Sequence, residues 1–494
     1  MKELSKLIEA LDGIRVNVCG TGNLLIESIT NDSRSVKANS LFVCIAGFNT
    51  DGHKFIAEAI QKGATAIVVE KDVDFKGVTL IRVTDSRRAI AKLSSKFYDA
   101  PDLKLRLLGV TGTNGKTTTS YLINSILQKD KRKTGLLGTI NYQIGDDLKE
   151  AGRTTPESLE LESFFKKALD NGVTDIVIEV SSHSLDLHRV EEIEFDQAIF
   201  TSLGLDHLDY HKTIDKYLEA KIKLFTQLDR LKKKGEKVAI VNIDDPNSKK
   251  ILSATAAKKI TYGLSQEAQV YAHPKSMDID GISFDAYTPK GRENINLKLT
   301  GNFNIYNALA AISSAIALEI PLETIKKGLE EVSNIPGRFE KIKGKKFNLI
   351  VDYAHTPEAL KNLLITAKEI VKGRLIVVFG CGGDRDRSKR PVMGELSATY
   401  ADFCILTSDN PRSEDPFRIL LDTEAGMQKI KARGEYLVFV DRRQAIEEAC
   451  RYAKEGDLVV IAGKGHETYQ ILSDRTIHFD DREVAREVIG RLDK

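Results

Sequence analysis

The 494-residue chain lacks an excess of either charge: 73 lysines and arginines stand against 71 aspartates and glutamates, a formal total of +2. Nucleic-acid binders usually carry a basic surplus, so a general polyanion-coating role is excluded and any affinity for phosphate must be local. Cysteine is sparse. Its five positions, Cys19, Cys44, Cys381, Cys404 and Cys450, include no pair at zinc-finger or CxxC spacing. An odd, scattered set of this kind fits a reduced cytosolic protein. Long apolar runs are missing too: Ala308 to Leu318 is too short to span a bilayer and carries Ser313 and Ser314. The opening Met1-Lys-Glu-Leu-Ser-Lys-Leu7 has charges where a signal peptide needs an apolar run, and Leu4, Leu7, Ile8 and Leu11 fall on one helical face instead. No short repeat or low-complexity tract occurs. The expectation is a soluble, cytoplasmic, monomeric protein without nucleic-acid or membrane partners.

What is present points to an α/β fold. The length suggests about three domains, each large enough to bury its own core. Short β-rich runs alternate with amphipathic helical patterns, the signal of mainly parallel sheets. Proline-containing breaks at Ala100-Pro101-Asp102 and Ile335-Pro336-Gly337 divide the chain into residues 1–101, 102–335 and 336–494. In the middle segment, Leu103 to Val110 reads as a strand, followed by a Gly/Thr turn and a helix from Lys116. Asp175 to Val180, Gln197 to Thr201 and Val238 to Asn242 read as further strands, and Asn304 to Leu318 as a long helix. In the last segment, strands are expected at Phe347 to Tyr353, Arg374 to Phe379, Asp402 to Ser408, Tyr436 to Val440 and Leu458 to Ala462.

The strongest chemical signal is Thr111-Gly112-Thr113-Asn114-Gly115-Lys116-Thr117-Thr118, set between an apolar strand and a helix. Glycines let backbone N–H groups approach phosphate oxygens, and the helix N-terminus adds a favourable dipole. Lys116 suits the β/γ-phosphates and the Thr117 hydroxyl suits Mg²⁺. Valine stands at position 110, where the general phosphate-loop template has glycine, so this is a shorter variant. Glu179 ends an apolar strand of the same segment, where a carboxylate can hold Mg²⁺. Read alone, Glu179 is equally a strand-end carboxylate in water, His207 a structural histidine and Lys221 a solvated helical lysine.

The loop variant resembles that of the ATP-dependent Mur ligases. Further motifs follow in that family's order: Glu179-Val-Ser-Ser-His183, Asp206-His-Leu-Asp209, Gly301-Asn-Phe-Asn-Ile-Tyr-Asn307, Gly337-Arg-Phe-Glu340 and Asp352-Tyr-Ala-His-Thr-Pro357, then Gly380-Cys-Gly-Gly-Asp-Arg-Asp386, Asp409-Asn-Pro-Arg412 and Gly463-Lys-Gly-His-Glu467. The resemblance implies three α/β domains, the central one of phosphate-loop ATPase type and the last Rossmann-like. It implies ATP and two Mg²⁺ ions as cofactors, with Thr117, Glu179 and His207 at the metal, and Lys221 carbamylated by CO₂ to support it. Lys116, Lys221 and His355 would be catalytic. Asn304, Asn307, Arg338 and Asp352 would join the loop around ATP, and Arg338, Asp352 and His355 would bring the last domain onto the nucleotide. Ser33, Phe48, Asn49, Thr50, Thr154, Thr155, Ser181 and Arg189 would follow a UDP-sugar.

The amino acid would be received by Arg385, Asp409, Asn410, Pro411, Arg412, Gly463 and Glu467. Without the resemblance, Asp409 to Arg412 is a polar Asn-Pro turn. Within it, Arg412 favours meso-diaminopimelate, because a guanidinium fork pairs bidentately with the far carboxylate that lysine lacks. The implied reaction phosphorylates the D-glutamate γ-carboxylate of UDP-N-acetylmuramoyl-L-alanyl-D-glutamate, and the amine of diaminopimelate attacks the acyl phosphate. The alternatives are the same ligation with L-lysine, another Mur-type or folylpolyglutamate ligation, and a nucleotide-binding regulator.

Overall fold

The computed structural model describes every residue except Arg15, Asn49, Leu231, Lys232, Lys234, Arg433 and Lys494. Among the described residues, three large sheets of five, eleven and six strands follow one another along the chain. The first sheet runs in the order Val16–Cys19, Thr79–Val83, Ala64–Val69, Ser40–Val43, Ser28–Thr30 and is parallel except at its first strand. At the N-terminus, Leu4, Leu7 and Leu11 are buried, as their helical spacing predicts, whereas Ile8 is half-buried.

The eleven-stranded sheet positions the chemistry. Arg106–Thr111 lies at its centre, flanked on one side by Asp175–Glu179 and on the other by Gln197–Phe200, all parallel. Parallel neighbours end at the same edge, so Val110 stands opposite Glu179 and Thr111 opposite Phe200. That register sets a carboxylate on one side of the turn after Thr111 and the Thr201 loop on the other. These strands are buried on both faces, as their continuous apolar sequences require. One correction concerns where the central strand begins. Proline at the first position of a single 3₁₀ turn, Pro101–Lys104, holds residues 101–104 out of the sheet, and the strand starts at Arg106. The long helix also starts earlier than expected, at Asn302 with Gly301 as its cap, so Asn304 is an interior residue.

The third sheet has the order Glu340–Lys343, Asn348–Asp352, Leu458–Ala462, Leu375–Phe379, Phe403–Thr407, Tyr436–Phe439. All neighbours are parallel except the first pair. The turns after Asp352, Phe379, Thr407 and Ala462 therefore open at one edge, where open α/β sheets bind their ligands. Pro357 opens the helix Pro357–Ile370, and the Thr356 hydroxyl caps it by accepting from Ala359 N at 3.3 Å. Among the described residues, no helix is long and apolar enough to cross a membrane.

Candidate active site

Gly115 adopts a left-handed φ of +86° immediately before the helix Lys116–Lys129, and a side chain there would run into the Asn307 amide oxygen. The phosphate-type loop is thus closed down on the helix behind it. Lys116 is half-buried and folds back across the loop, donating to the carbonyls of Gly112 at 2.9 Å and Thr113 at 2.8 Å. Burial lowers its pKa, with Glu179 and Asp206 opposing and Arg338 adding to the shift. Thr111 at the strand end, Thr113 in the loop and Thr118 in the helix are buried, while Asn114 is exposed and accepts from Thr201 Oγ1 through its carbonyl at 2.5 Å.

Glu179 receives three hydrogen bonds at 2.9 Å, from the Thr117 hydroxyl, the Thr139 amide and the Thr139 hydroxyl. Lys221 is 1% exposed, donates to Gly112 O at 2.8 Å, and lies 4.2 Å from the centre of the Tyr217 ring. Burial and then the neighbouring Lys116 push its amine well below the ordinary lysine pKa, against the pull of Asp206. His207, at a left-handed φ of +56°, has its ring 6.1 Å from that of Tyr217. Burial is the main cause that lowers its pKa to about 4, so the ring is neutral near pH 7.

Among the described residues, no group of three His, Cys, Asp or Glu side chains could by itself hold a metal ion. The donors beside the loop are a carboxylate, hydroxyls and a neutral imidazole. The carboxylate and hydroxyl oxygens suit a hard, oxygen-preferring cation that takes further oxygens from nucleotide or water.

The C-terminal domain reaches this centre directly. Arg338 Nη2 donates to Thr117 Oγ1 at 3.2 Å, and its guanidinium stacks 4.7 Å from the Tyr353 ring. Asp352 accepts from Phe339 N at 2.7 Å and Ala354 N at 2.8 Å, and burial raises its pKa despite Arg338. His355 bonds the Tyr353 carbonyl through Nδ1 at 2.8 Å. A carbonyl can only accept, so Nδ1 carries the proton and Nε2 is the basic nitrogen of the neutral ring. Burial and then Lys389 lower its pKa. Together these residues line a cleft of about 560 Å³ that also takes in Lys116, Glu179, Lys221, Asn304 and Asn307. The two asparagines bond each other, Asn307 Nδ2 to Asn304 Oδ1 at 2.9 Å, rather than both facing outward.

Thr154, Thr155, Ser181 and Arg189 form a tract leading away from Glu179. Thr154 Oγ1 contacts Thr139 Oγ1 at 3.1 Å, and Thr155 Oγ1 donates to Glu179 O at 2.7 Å. Arg189 Nη1 donates to Thr155 O at 3.1 Å and pairs with Glu157 at 2.9 Å. Ser181 caps the short helix Ser182–Asp186. The N-terminal residues are less gathered. Ser33 is held within its own domain by Glu58 at 3.1 Å, and the exposed Phe48 meets Tyr210 edge-on at 5.9 Å. Thr50 closes its turn by accepting from Gly47 N at 2.8 Å, and Asn49 lies outside the described residues.

At the edge of the third sheet, Asn410 Nδ2 donates to Glu467 Oε2 at 2.9 Å. Gly463, at φ +120°, passes so close to Asp409 that a Cβ would stand 2.7 Å from Oδ2. Arg412 is half-buried and donates through Nη1 to Gly383 O at 2.7 Å, while the exposed Arg385 donates to its neighbour Asp384 O at 3.0 Å. Pro411 is buried and accepts from Glu414 N at 3.1 Å. Behind these residues, Arg442 is fully buried. It bonds both oxygens of Asp481 at 2.7 Å, and reaches Ser408 O at 3.3 Å and Ala462 O at 3.0 Å. It thereby ties together the strand ends that carry Asp409 and Gly463.

Asp206, Thr139, Arg442 and Lys464 were not singled out by sequence reasoning. Asp206 and Lys464 sit inside motifs quoted above; nothing local marks Thr139 or Arg442.

Three family descriptions match the chain: the Mur ligase middle domain over residues 110–315, the Mur ligase glutamate ligase domain over 337–465, and the Mur ligase family catalytic domain over 25–98. A UDP-N-acetylmuramoyl-L-alanyl-D-glutamate–2,6-diaminopimelate ligase of Alkaliphilus metalliredigens is 48% identical over 491 residues, covering 98% of this chain and 97% of the relative. The ligase of the same name from Clostridium botulinum is 48% identical over 475 residues, covering 94% and 96%. A solved structure of a ligase so named superposes with a TM-score of 0.68 at 33% identity, over 94% of this chain and 95% of the other.

Proposed function

This chain belongs to the Mur ligase family, and we propose on that premise that it is an ATP-dependent amide ligase of peptidoglycan precursor synthesis. Its reaction joins meso-diaminopimelate to the D-glutamate of UDP-N-acetylmuramoyl-L-alanyl-D-glutamate. The observation that carries the reading is the shared cleft, where Lys116, Glu179 and Lys221 of one domain face Arg338, Asp352 and His355 of another.

The residues divide the work by charge. ATP lies along residues 111–118, and Lys116 exchanges its loop carbonyls for phosphate oxygens. The γ-phosphoryl group passes to the substrate γ-carboxylate, ADP departs, and an acyl phosphate results. Arg338, donating at Thr117, compensates charge that builds on the transferring group. The amine of diaminopimelate then attacks the acyl carbon, phosphate leaves, and the amine gives up a proton. The basic Nε2 of His355 takes that proton. No covalent enzyme nucleophile is required.

Glu179, Thr117, His207 and carbamylated Lys221 would hold magnesium, which supplies charge compensation on the triphosphate. Carbamylation adds CO₂ to the neutral amine with loss of one proton. The burial of Lys221 supports it, since an amine kept from water is the more easily deprotonated. The UDP-sugar follows Thr154, Thr155, Ser181 and Arg189 toward Ser33 and the Phe48 to Thr50 loop. Arg412 receives the far carboxylate of diaminopimelate, with Arg385, Asp409, Asn410, Gly463 and Glu467 around the rest.

The test is phosphate release by the purified protein with MgATP and the UDP-muramoyl dipeptide, adding diaminopimelate or L-lysine in turn. Turnover with diaminopimelate well above that with lysine is expected. Faster turnover with lysine sinks the Arg412 reading, and none with either amino acid leaves a nucleotide-binding regulator.

A further inference from the structure

Lys464 follows Gly463 at the edge of the third sheet, and its side chain is 0% exposed. Burying an ammonium costs several kcal/mol unless it is paired and hydrogen-bonded. Its partners are two residues of the amino-acid pocket: Glu467 Oε2 at 2.9 Å and Asn410 Oδ1 at 3.2 Å. The Tyr469 ring lies 5.5 Å away. Asn410 closes the triangle, because its Nδ2 donates to the same Glu467 oxygen and its Oδ1 also accepts from Ile471 N at 3.0 Å. A lysine can only donate, so it fixes which end of the Asn410 amide faces it. Both contacts to Glu467 fall on Oε2, and Glu467 keeps 14% side-chain exposure. One oxygen therefore stays outside the triangle on a carboxylate whose charge is already compensated.

We propose that Lys464 is a positioning residue that sets amino-acid selectivity, making the pocket prefer an amino acid whose far end is zwitterionic over one ending in a bare ammonium. The inference rests on the reading of Arg412 and Glu467 as that pocket. A far end carrying both charges places its ammonium on Glu467 and its carboxylate on Arg412, adding no net charge. A bare ammonium adds one positive charge beside Lys464 and Arg412, against a carboxylate already paired. Without the Lys464 charge, Asn410 and Glu467 lose the anchor that aims them at the far end of diaminopimelate, Glu467 is left to take any ammonium, and the distinction narrows. Lys464 also acts on Asp409: burial pushes that carboxyl up, but Lys464 and Arg442 outweigh it and hold it below the ordinary value.

The experiment measures kcat and KM for diaminopimelate, L-lysine and ATP in the full-length wild type, K464Q and K464R. Lys464→Gln keeps a donor for Asn410 and removes the charge. It should raise the diaminopimelate KM about 30-fold, leave the ATP KM within about twofold, and narrow the diaminopimelate-to-lysine ratio of kcat/KM at least about tenfold. Lys464→Arg, which restores the charge, should recover most of that ratio. A K464Q enzyme that loses activity toward both amino acids equally, or whose ATP KM rises in step, overturns the inference. A wild type with no preference for diaminopimelate overturns the pocket reading and this inference with it. If K464Q does not fold, the ratio in K464R decides: one that collapses although the charge is present counts against the proposal.

Discussion

The phosphate-loop centre and the proposed amino-acid pocket are both built at the ends of parallel strands, yet they handle positive charge in opposite ways. At the loop, Lys116 and Lys221 are hydrogen-bonded to backbone carbonyls of residues 112 and 113. Burial drives both amines downward in pKa. At the pocket, Lys464 and Arg442 each hold a carboxylate, Glu467 and Asp481. Carbonyl partners are neutral and can be exchanged for phosphate oxygens, so Lys116 can turn to a polyanion while Lys221 is left free to lose its charge. Carboxylate partners consume the charge, so the second site is nearly neutral and suits a ligand carrying both signs. What separates the two sites is therefore the partner of each cation and not the net charge, since acidic side chains, Glu179, Asp206 and Asp352 among them, share the first cleft with Lys116, Lys221 and Arg338.

The contrast breaks most severely at Lys116. Lys116→Ala should lower kcat on the order of 10⁴-fold with a far smaller effect on the diaminopimelate KM; equal effects on both would mean that the two sites are not separate. Lys221→Ala should cost about 10³-fold in kcat through the same centre. The carbamate makes its own prediction. Activity of the wild type should rise with added bicarbonate, and native mass spectrometry should find one CO₂ adduct that Lys221→Ala lacks. Activity indifferent to bicarbonate, with no adduct, excludes the modification.

How much of this was legible in the sequence also differs between the two sites. The loop could be read because its chemistry is local: consecutive residues follow an apolar strand, and glycine conformations need no distant partner. Glu179 could be paired with it only through sheet order, which places Asp175–Glu179 beside Arg106–Thr111 across some seventy residues of chain. Thr139, which supplies two of the three bonds to Glu179, sits in a stretch with no periodic or motif signal. The pocket was legible at its rim, in Asp409 to Arg412 and Gly463 to Glu467, but not beneath it. Arg442 lies in a helix whose sequence, Arg442-Arg-Gln-Ala, reads as a solvated charged face. Its burial follows from packing against Asp481 at the start of another helix, a pairing invisible until both helices are placed. The misplaced strand start at Leu103 has a simpler cause: apolar residues around a proline turn mimic a strand.

At the compensated site, the largest effect should be on stability. Arg442→Met leaves Asp481 buried without its partner and should cost about 3–5 kcal/mol in urea unfolding. Replacing Asp481 by Leu in the same protein should return much of that loss. If the double variant is no more stable than the single one, Arg442 acts by bracing Ser408 and Ala462 rather than by pairing. Arg412→Ala should then raise the diaminopimelate KM about 100-fold, equivalent to roughly 2.7 kcal/mol, with ATP binding unchanged. Parallel loss of ATP binding would make Arg412 a brace for the Gly383 turn.

The smallest effect expected lies between the two sites, at His466. Its ring packs 4.8 Å from Tyr353, and Nδ1 is buried without a hydrogen-bond partner. Burial is the first cause that pushes its pKa down to about 3, and Arg338, Arg482, His355 and Lys464 add their charges. In the unfolded chain the same imidazole titrates near 6.5. Above that pH neither state takes up a proton and the group leaves stability unchanged. As the pH falls below 6.5 the unfolded state gains a proton that the folded state refuses, so stability declines until the folded value near 3 is reached. By pH 5 the loss from this residue should approach about 2 kcal/mol. Most carboxylates have barely begun to titrate there, and Asp352 and Glu162, whose values burial raises, contribute equally to wild type and variant, as do the other histidines. The difference in urea stability between wild type and His466→Gln should therefore shift by that amount from pH 7 to pH 5, in favour of the variant. A difference that stays constant over this range would mean that His466 takes up its proton in the fold as readily as in the unfolded chain, and a shift toward the wild type would mean that the fold holds it charged.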